Sequence, residues 1–471
     1  MVTSLSPVLI TGLSNDEQAL ISRLLDNLAR HGQANFAARS YYEARQVVQH
    51  IGIAIPAELA NRIRAVIGWG GTVVDVIEER LDWYGWSITG DDLGLGDIYA
   101  ANKLAVESGF AHLDSLMLGL GFVRVGSGDT GEPSPLITTH AADTTTGDWN
   151  ARTRRLDNAL TITKVKDSTV TDLVLDVPGA TITCSKAGGK WVEVDRDEHG
   201  LPVPVVPLSN RPRGSRRLGR SEITRATRYY CDAAVRTLVG MEGNREFYSI
   251  PQLALLNRGL DAFVDRNGNP TSPWKVLAGS LIGMPKDADG DAAQIEQLKV
   301  GSPEPFISQV GQWAELLAAE AGIPTTYLGF HTDNPSSADA IRALEARLVK
   351  RVERRQTAFG LAWLEVGRLA LMFRDGEAPD DYLTRVSVDN WSSAATPTKA
   401  ATADAGMKQL TAMPWLAGTE VGLELLGLDN NQITRALAEK RRQQGSALVD
   451  RLIAARSGSG AAEPDATAQP A

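Results

Sequence analysis

Pro324-Thr325-Thr326-Tyr327-Leu328-Gly329-Phe330-His331-Thr332-Asp333-Asn334-Pro335-Ser336-Ser337-Ala338-Asp339-Ala340 opens the stretch that decides the fold. It continues to Phe373 as one long helical pattern. Asn334-Pro335 is a turn dipeptide, and the proline biases Asn334 away from helical geometry. Ser336 or Ser337 is placed to cap a helix, and Asp339 sits in the first turn, where the macrodipole favours a carboxylate. Ile341, Leu344, Leu348, Val352, Phe359, Trp363, Val366 and Phe373 then recur at spacings of three, four or seven and form one apolar face. Between them lie Arg342, Arg347, Lys350, Arg351, Arg354, Arg355 and Arg368. The pattern predicts a helix of more than about 30 residues with a basic side, a length that suits a large assembly better than a small globule. Glu345, Glu353 and Glu365 are interspersed among the cations. That mixture favours ion pairing within the helix or with a neighbouring subunit over direct phosphate contact.

The rest of the chain is ordinary in composition. Its 471 residues are 43% hydrophobic and 22% charged, enough for two or three packed units. Two cysteines, Cys184 and Cys231, suit a reducing compartment and exclude a disulfide framework, and two buried free thiols are the expectation. Met1 to Ser14 has no basic n-region, so no signal peptide is expected, and no apolar run is long enough to span a bilayer. The net charge of −9 argues against nucleic-acid binding by bulk attraction. Ten tryptophans suggest broad packed surfaces or subunit contacts.

Outward from the opening stretch, the pattern predicts helices over 15–50 (capped by Asn15 or Asp16, with Ile21, Leu24, Leu25 and Leu28 as the stripe), 57–81 and 97–118. From Gly121 the period changes to two. Short strands are predicted at 122–125, 135–139, 160–164, 172–176, 181–184 and 190–194, an antiparallel unit set among helices. A Pro-rich extended passage, 200–213, leads through Arg211, Arg213, Arg216, Arg217 and Arg220 into a helix over 222–243. Residues 244–303 are rich in Gly, Pro and Asp. Pro303-Glu304-Pro305-Phe306 opens a helix to Gly322, 382–389 reads as a strand, 398–455 as helices, and the Gly/Ser/Ala/Pro tail from Ser457 as disordered.

Catalytic signatures fail one by one. Gly126-Ser127-Gly128-Asp129-Thr130-Gly131 fits the dinucleotide pattern, but Glu132-Pro133-Ser134-Pro135 follows instead of a helix N-terminus. Gly188-Gly189-Lys190-Trp191 lacks the first glycine and the hydroxyl of a phosphate-binding loop. Asp287-Ala288-Asp289-Gly290-Asp291 and Asp265-Arg266-Asn267-Gly268-Asn269 place glycine too early for an EF-hand and read as solvated turns. The six histidines never pair at zinc-ligand spacing. No catalytic residue, metal or cofactor is therefore expected. A runner-up expectation is a cytosolic α/β enzyme with an unrecognised site, and a third is a non-viral scaffold.

Several stretches carry a family resemblance in their order along the chain. They are Tyr41-Tyr42 followed by Gly52-Ile53-Ala54-Ile55-Pro56, then Arg80-Leu81-Asp82-Trp83-Tyr84-Gly85-Trp86. Next come Pro202-Val203-Pro204, Asn210-Arg211-Pro212 and Gly219-Arg220-Ser221-Glu222-Ile223, and finally the helix end Ala318 to Pro324 with its loop and long helix. In this the chain resembles the portal proteins of tailed double-stranded DNA bacteriophages. The resemblance implies an α+β, mainly helical fold with an inserted antiparallel β unit. It implies a wing over 1–220, stem helices over 221–243 and 304–323, and a clip over 244–303. A tunnel loop would cover 324–338, a long bent helix returning to the wing 339–397, and a crown 398–456, before a disordered tail, 457–471. Tyr327, Phe330, His331, Asp333 and Asn334 become candidates to face DNA. Arg342, Arg347, Lys350, Arg351, Arg354 and Arg355 become candidates for intersubunit or DNA-facing contacts. The implied assembly is a dodecameric ring at a capsid vertex, put together in the host cytoplasm. Its implied partners are double-stranded DNA, the terminase large subunit, major capsid and scaffolding proteins and a head–tail adaptor, with no membrane.

Overall fold

The computed structural model describes residues 9–49, 63, 65–90, 92–167, 169–248, 253–256, 294–297, 301–330, 338–395, 399–428 and 430–458. The fold is α+β, and the chain divides into a larger unit ending at Ala394 and a smaller C-terminal one.

The larger unit begins with strand β1 (Ile10–Thr11) and helix α1 (Asn15–Tyr42). Ser14 caps α1, accepting from the Glu17 amide, while the Glu17 side chain accepts from the Ser14 amide at 2.8 Å. This capping box lies one residue before the predicted cap. The predicted stripe holds: Ile21, Leu24, Leu25 and Leu28 are all buried. They pack on a six-stranded sheet in the order β1-β9-β8-β7-β6-β5. Its strands are β5 (Thr145–Asn150), β6 (Arg155–Lys166), β7 (Thr169–Val177), β8 (Ala180–Ala187) and β9 (Lys190–Glu198). All neighbours pair antiparallel except β1, which joins β9 in parallel. Each side chain fully buried in this layer contributes about 1.5–3 kcal/mol.

Three predicted helices end or break differently from the sequence expectation. The first stops at Tyr42, with Ala44 in left-handed geometry (φ 53°). The second, α2 (Trp69–Glu78), is short, and Ile63 is a bend. The helix expected over 97–118 is two, α3 (Leu95–Ala101) and α4 (Leu104–Leu118), because Lys103 takes a left-handed φ of 52°. A second sheet places β10 (Val205–Ser209), from the Pro-rich passage, beside β3 (Leu120–Gly126), with β4 (Leu136–Ala141) on the other edge of β3. Asn102 anchors β4: its side chain accepts from the Ile137 amide at 2.7 Å and donates to the Pro135 carbonyl at 3.0 Å.

Helix α5 (Arg225–Tyr248) packs against α6 (Glu304–Ala321). Between them the described residues include only the antiparallel pair β11 (Leu253–Leu256) and β12 (Gln294–Gln297) and the ends at Gly301–Pro303. Most of the expected clip, both acidic turns included, lies outside the described residues. Helix α7 (Ala338–Asp375, 38 residues) forms the spine of the main core. Leu348, Val352, Phe359, Trp363 and Val366 of the predicted seam are fully buried, whereas Leu344 is exposed. The stretch read as a strand over 382–389 is instead a short helix, α8 (Tyr382–Arg385), followed by β13 (Val386–Ser387), which pairs with β2 (Ser87–Ile88).

Aromatic residues join the chain's two halves here. The Trp83 ring stacks on Trp363 at 4.5 Å, and Trp86 Nε1 donates to the Trp363 carbonyl at 2.9 Å. Trp363 Nε1 donates to His112 Nε2 at 2.9 Å. A Cβ on Gly367 would lie 2.6 Å from the Tyr382 hydroxyl and 2.7 Å from Trp86 Nε1, so only glycine lets these groups approach the helix. Cys184 and Cys231 are buried free thiols, and burial pushes them up to about 11 and about 12.

The smaller unit contains α9 (Lys399–Ala412), α10 (Glu420–Leu425) and α11 (Asn430–Gly458). Thr419 caps α10, and Lys440 of α11 donates to the Gly418 carbonyl at 2.6 Å. No described helix is long and apolar enough to cross a membrane.

Candidate functional site

The turn between α6 and α7 is built on two positive-φ glycines. Gly322 (φ 67°) ends α6, and Gly329 (φ 88°) ends a 3-10 turn over Thr325–Leu328. Both are glycine-favoured left-handed caps. Pro324 cannot continue α6 and sets the turn's direction.

Tyr327, a candidate DNA-facing residue, is held within the protomer. Its hydroxyl donates to Glu345 Oε1 at 2.8 Å and accepts from Arg80 Nη2 at 2.6 Å. Arg80 also pairs with Glu345 at 3.1 Å and donates to the Ala394 carbonyl at 2.9 Å. Burial, then the Glu345 hydrogen bond, raises the Tyr327 phenol above its ordinary range. Phe330, another candidate, meets the Trp69 ring edge-on at 6.3 Å. These two aromatic side chains therefore fasten the base of the turn. His331, Asp333 and Asn334 lie outside the described residues.

The basic side of α7 is not uniformly outward. Arg351 and Arg355, candidates for intersubunit or DNA-facing contacts, turn inward and converge on Glu222, whose side chain is 0% exposed. Arg355 bonds Glu222 Oε1, Arg351 Nη2 lies 2.6 Å from Oε2, and Arg211 Nη1 lies 3.2 Å from Oε2. Asn210 completes the cluster, donating to Glu222 Oε1 at 3.1 Å and accepting from Arg355 Nε at 3.3 Å. The physical reason is the buried carboxylate, which needs paired cations to be tolerated.

Burial alone would raise the Glu222 carboxyl, but Arg355, Arg351 and Arg211 outweigh it and hold the group below the usual range. Arg351 shows the opposite balance: desolvation outweighs Glu222, and with the neighbouring cations brings its guanidinium down to about 10. Both groups are still charged at neutral pH. The cluster is three cations on one anion, so the carboxylate is the member whose loss matters most.

Arg347, Lys350 and Arg354 are less engaged. Arg347 donates to the Ala319 carbonyl at 2.7 Å, tying α7 to the end of α6. Lys350 pairs with Glu353 at 2.7 Å on the surface. Arg354 is exposed and has no ion pair among the described residues, and Arg342 is described only as a helical position. Glu222, Arg80 and Asn210 entered the sequence reading only as members of the stretches that carry the family resemblance, with no site role given to them. A further signal was Glu222 itself, a lone acid at the end of an arginine run. Among the described residues, no group of three or more His, Cys, Asp and Glu side chains is placed to hold a metal ion.

What the fold and this site define is a scaffold: charged clamps fix a helix–turn–helix to a β unit and to the segment leading into α5. The chain belongs to the phage portal protein family, SPP1 Gp6-like, whose family model matches residues 21–446. It is 34% identical over 383 residues to the portal protein of Mycobacterium phage D29, covering 78% of this chain and 77% of that one. Identity to the portal protein of Mycobacterium phage L5 is 33% over the same shares. Among solved structures it is similar to a chain from the neck of an empty gene transfer agent particle. There the TM-score is 0.43 at 15% identity, over 76% of this chain and 90% of that one.

Proposed function

We propose that this chain is the protomer of a dodecameric ring at a unique capsid vertex, the channel through which double-stranded DNA is packaged and later ejected. Family membership across residues 21–446 carries this reading. Charge supports it as well. The chain has a net charge of −9, and two arginines of its most basic helix are neutralised inside the protomer. A channel of such protomers does not grip the duplex by counterion release, so the strand is free to slide.

The pinned turn supplies a fixed root for residues 331–337. In this reading Tyr327 and Phe330 anchor the tunnel loop, and His331, Asp333 and Asn334 are its DNA-facing part. In the same reading Arg342, Lys350 and Arg354 meet a neighbouring subunit. The ring is a conduit rather than an enzyme. It docks the terminase large subunit and head–tail adaptor, is placed with major capsid and scaffolding proteins in the host cytoplasm, and ends in the virion.

Light-scattering mass and negative-stain electron microscopy of the purified chain test this. Rings with a central hole are expected. A stable dimer carrying a bound small molecule would overturn it in favour of the enzyme alternative.

A further inference from the structure

We propose that a cationic cavity between α1, β5 and the segment leading into α5 receives a carboxylate-bearing segment from a second copy of this chain. The inference rests on the ring assembly proposed above.

The cavity measures about 710 Å³ and is lined by Arg216, Arg217, Arg220, Arg225 and Arg228. None of the five is ion-paired among the described residues, whereas nearby Arg211, Arg351 and Arg355 all share Glu222. The Nε atoms of Arg220 and Arg228 are buried and lack an acceptor. A buried donor without a partner keeps its desolvation cost uncompensated. Arg225 and Arg228 also occupy the first turn of α5, which carries no acidic residue. The helix macrodipole is already positive there, so two cations are locally unfavourable. Arg211 and Arg213 add to the repulsion, and after desolvation they lower the Arg220 guanidinium further, against a smaller opposing pull from Glu222 and Glu320. The protomer's own acids thus offset only part of the cost of gathering these charges. An anion that fills the cavity reverses each cost.

The cavity walls select the kind of anion. Leu118 and Ile223 line it beside the arginines. An apolar, recessed wall strengthens charge-assisted hydrogen bonds and favours an anion on a flexible apolar stem, as in Glu or Asp. A duplex carries its phosphates on the outside of a rigid rod and does not reach recessed Nε atoms. A second copy is the fitting source, since the chain has a net charge of −9 and a closed ring brings different faces of identical subunits together.

The test is native mass spectrometry of the full-length protein over a protein-concentration and salt series. Arg217→Glu/Arg225→Glu changes two exposed lining residues, with Arg30→Glu/Arg152→Glu as an equal charge change outside the cavity. Circular dichroism melting checks that both variants fold, and Arg217→Gln/Arg225→Gln replaces the first if it does not. We expect the cavity variant to need about tenfold more protein to form rings, as for loss of a charge-assisted contact, with the control unchanged. Equal assembly by wild type and both cavity variants overturns the proposal. So does normal assembly with loss of DNA retention, which would make nucleic acid the occupant. If the wild type forms no ring at any salt, the ring reading itself fails and takes the proposal with it.

Discussion

Arg351 Nη2 lies 2.6 Å from Glu222 Oε2, although 129 positions separate them in sequence. Together with Arg355 and Arg211, this contact joins α7, the segment leading into α5 and the exit of the β unit at one buried carboxylate.

Glu222→Gln would leave three guanidinium groups converging without a charge to balance them. Breaking a buried pair from one side costs about 3–5 kcal/mol. Denaturant unfolding should show a loss of that order at neutral pH, and an unchanged midpoint would refute the clamp. Because Glu222 is held below the usual range, its contribution is present above the ordinary glutamate pKa of about 4.3 and lost as pH falls below it. In the Gln variant that part of the acid sensitivity should disappear.

His112 gives a second pH dependence with a different window. Trp363 Nε1 donates to His112 Nε2, so the ring is neutral with its proton on Nδ1. Burial brings its pKa down to about 3. A depressed histidine stabilises the fold fully above the unfolded value of about 6.5, and this is lost at about 1.4 kcal/mol per pH unit down toward pH 3. His112→Phe should flatten that slope while costing about 1–3 kcal/mol at pH 7, since the Trp363 donor loses its acceptor. An unaltered stability–pH profile in the variant would contradict the assignment.

Tyr327→Phe removes the hydroxyl shared by Arg80 and Glu345 but leaves their ion pair. A loss of about 1 kcal/mol is expected. Hydrogen exchange should rise at Thr325–Leu328 and not in the sheet beneath α1. A change confined to the sheet would mean the hydroxyl does not pin the turn.

Gly322→Ala forces a side chain into left-handed backbone at a cost of about 1–2 kcal/mol. The new Cβ would also lie 2.8 Å from Arg351 Nη1 and 2.9 Å from Arg347 Nε. Displacing Arg351 couples the site to Glu222, so a double-mutant cycle with Glu222→Gln should be non-additive. Additive losses would show the two sites to be independent.

The legible parts of the fold were those governed by local periodicity. The α1 stripe and the seam of α7 from Leu348 to Val366 each repeat a pattern that burial enforces, and strands β6 to β9 stand where apolar residues fall between turns. The break at Lys103 carries no glycine or proline signal, and β1 is too short to have a period, its pairing being set 181 positions away at Trp191. The site was hardest to read. Arginines on a helix read as solvent-facing, and nothing local to Arg351 or Arg355 shows that a carboxylate waits at position 222. Tyr327 and Phe330 likewise read as loop tips because their partners, Arg80 and Trp69, belong to a different part of the chain.

An electron cryo-microscopy reconstruction of the assembled protein tests the central claim most directly. We expect a closed dodecameric ring with residues 331–337 of every copy facing the central axis and Tyr327 bonded to Glu345 behind them. A ring with that segment on its outer rim, or a stable closed dimer, would contradict the account.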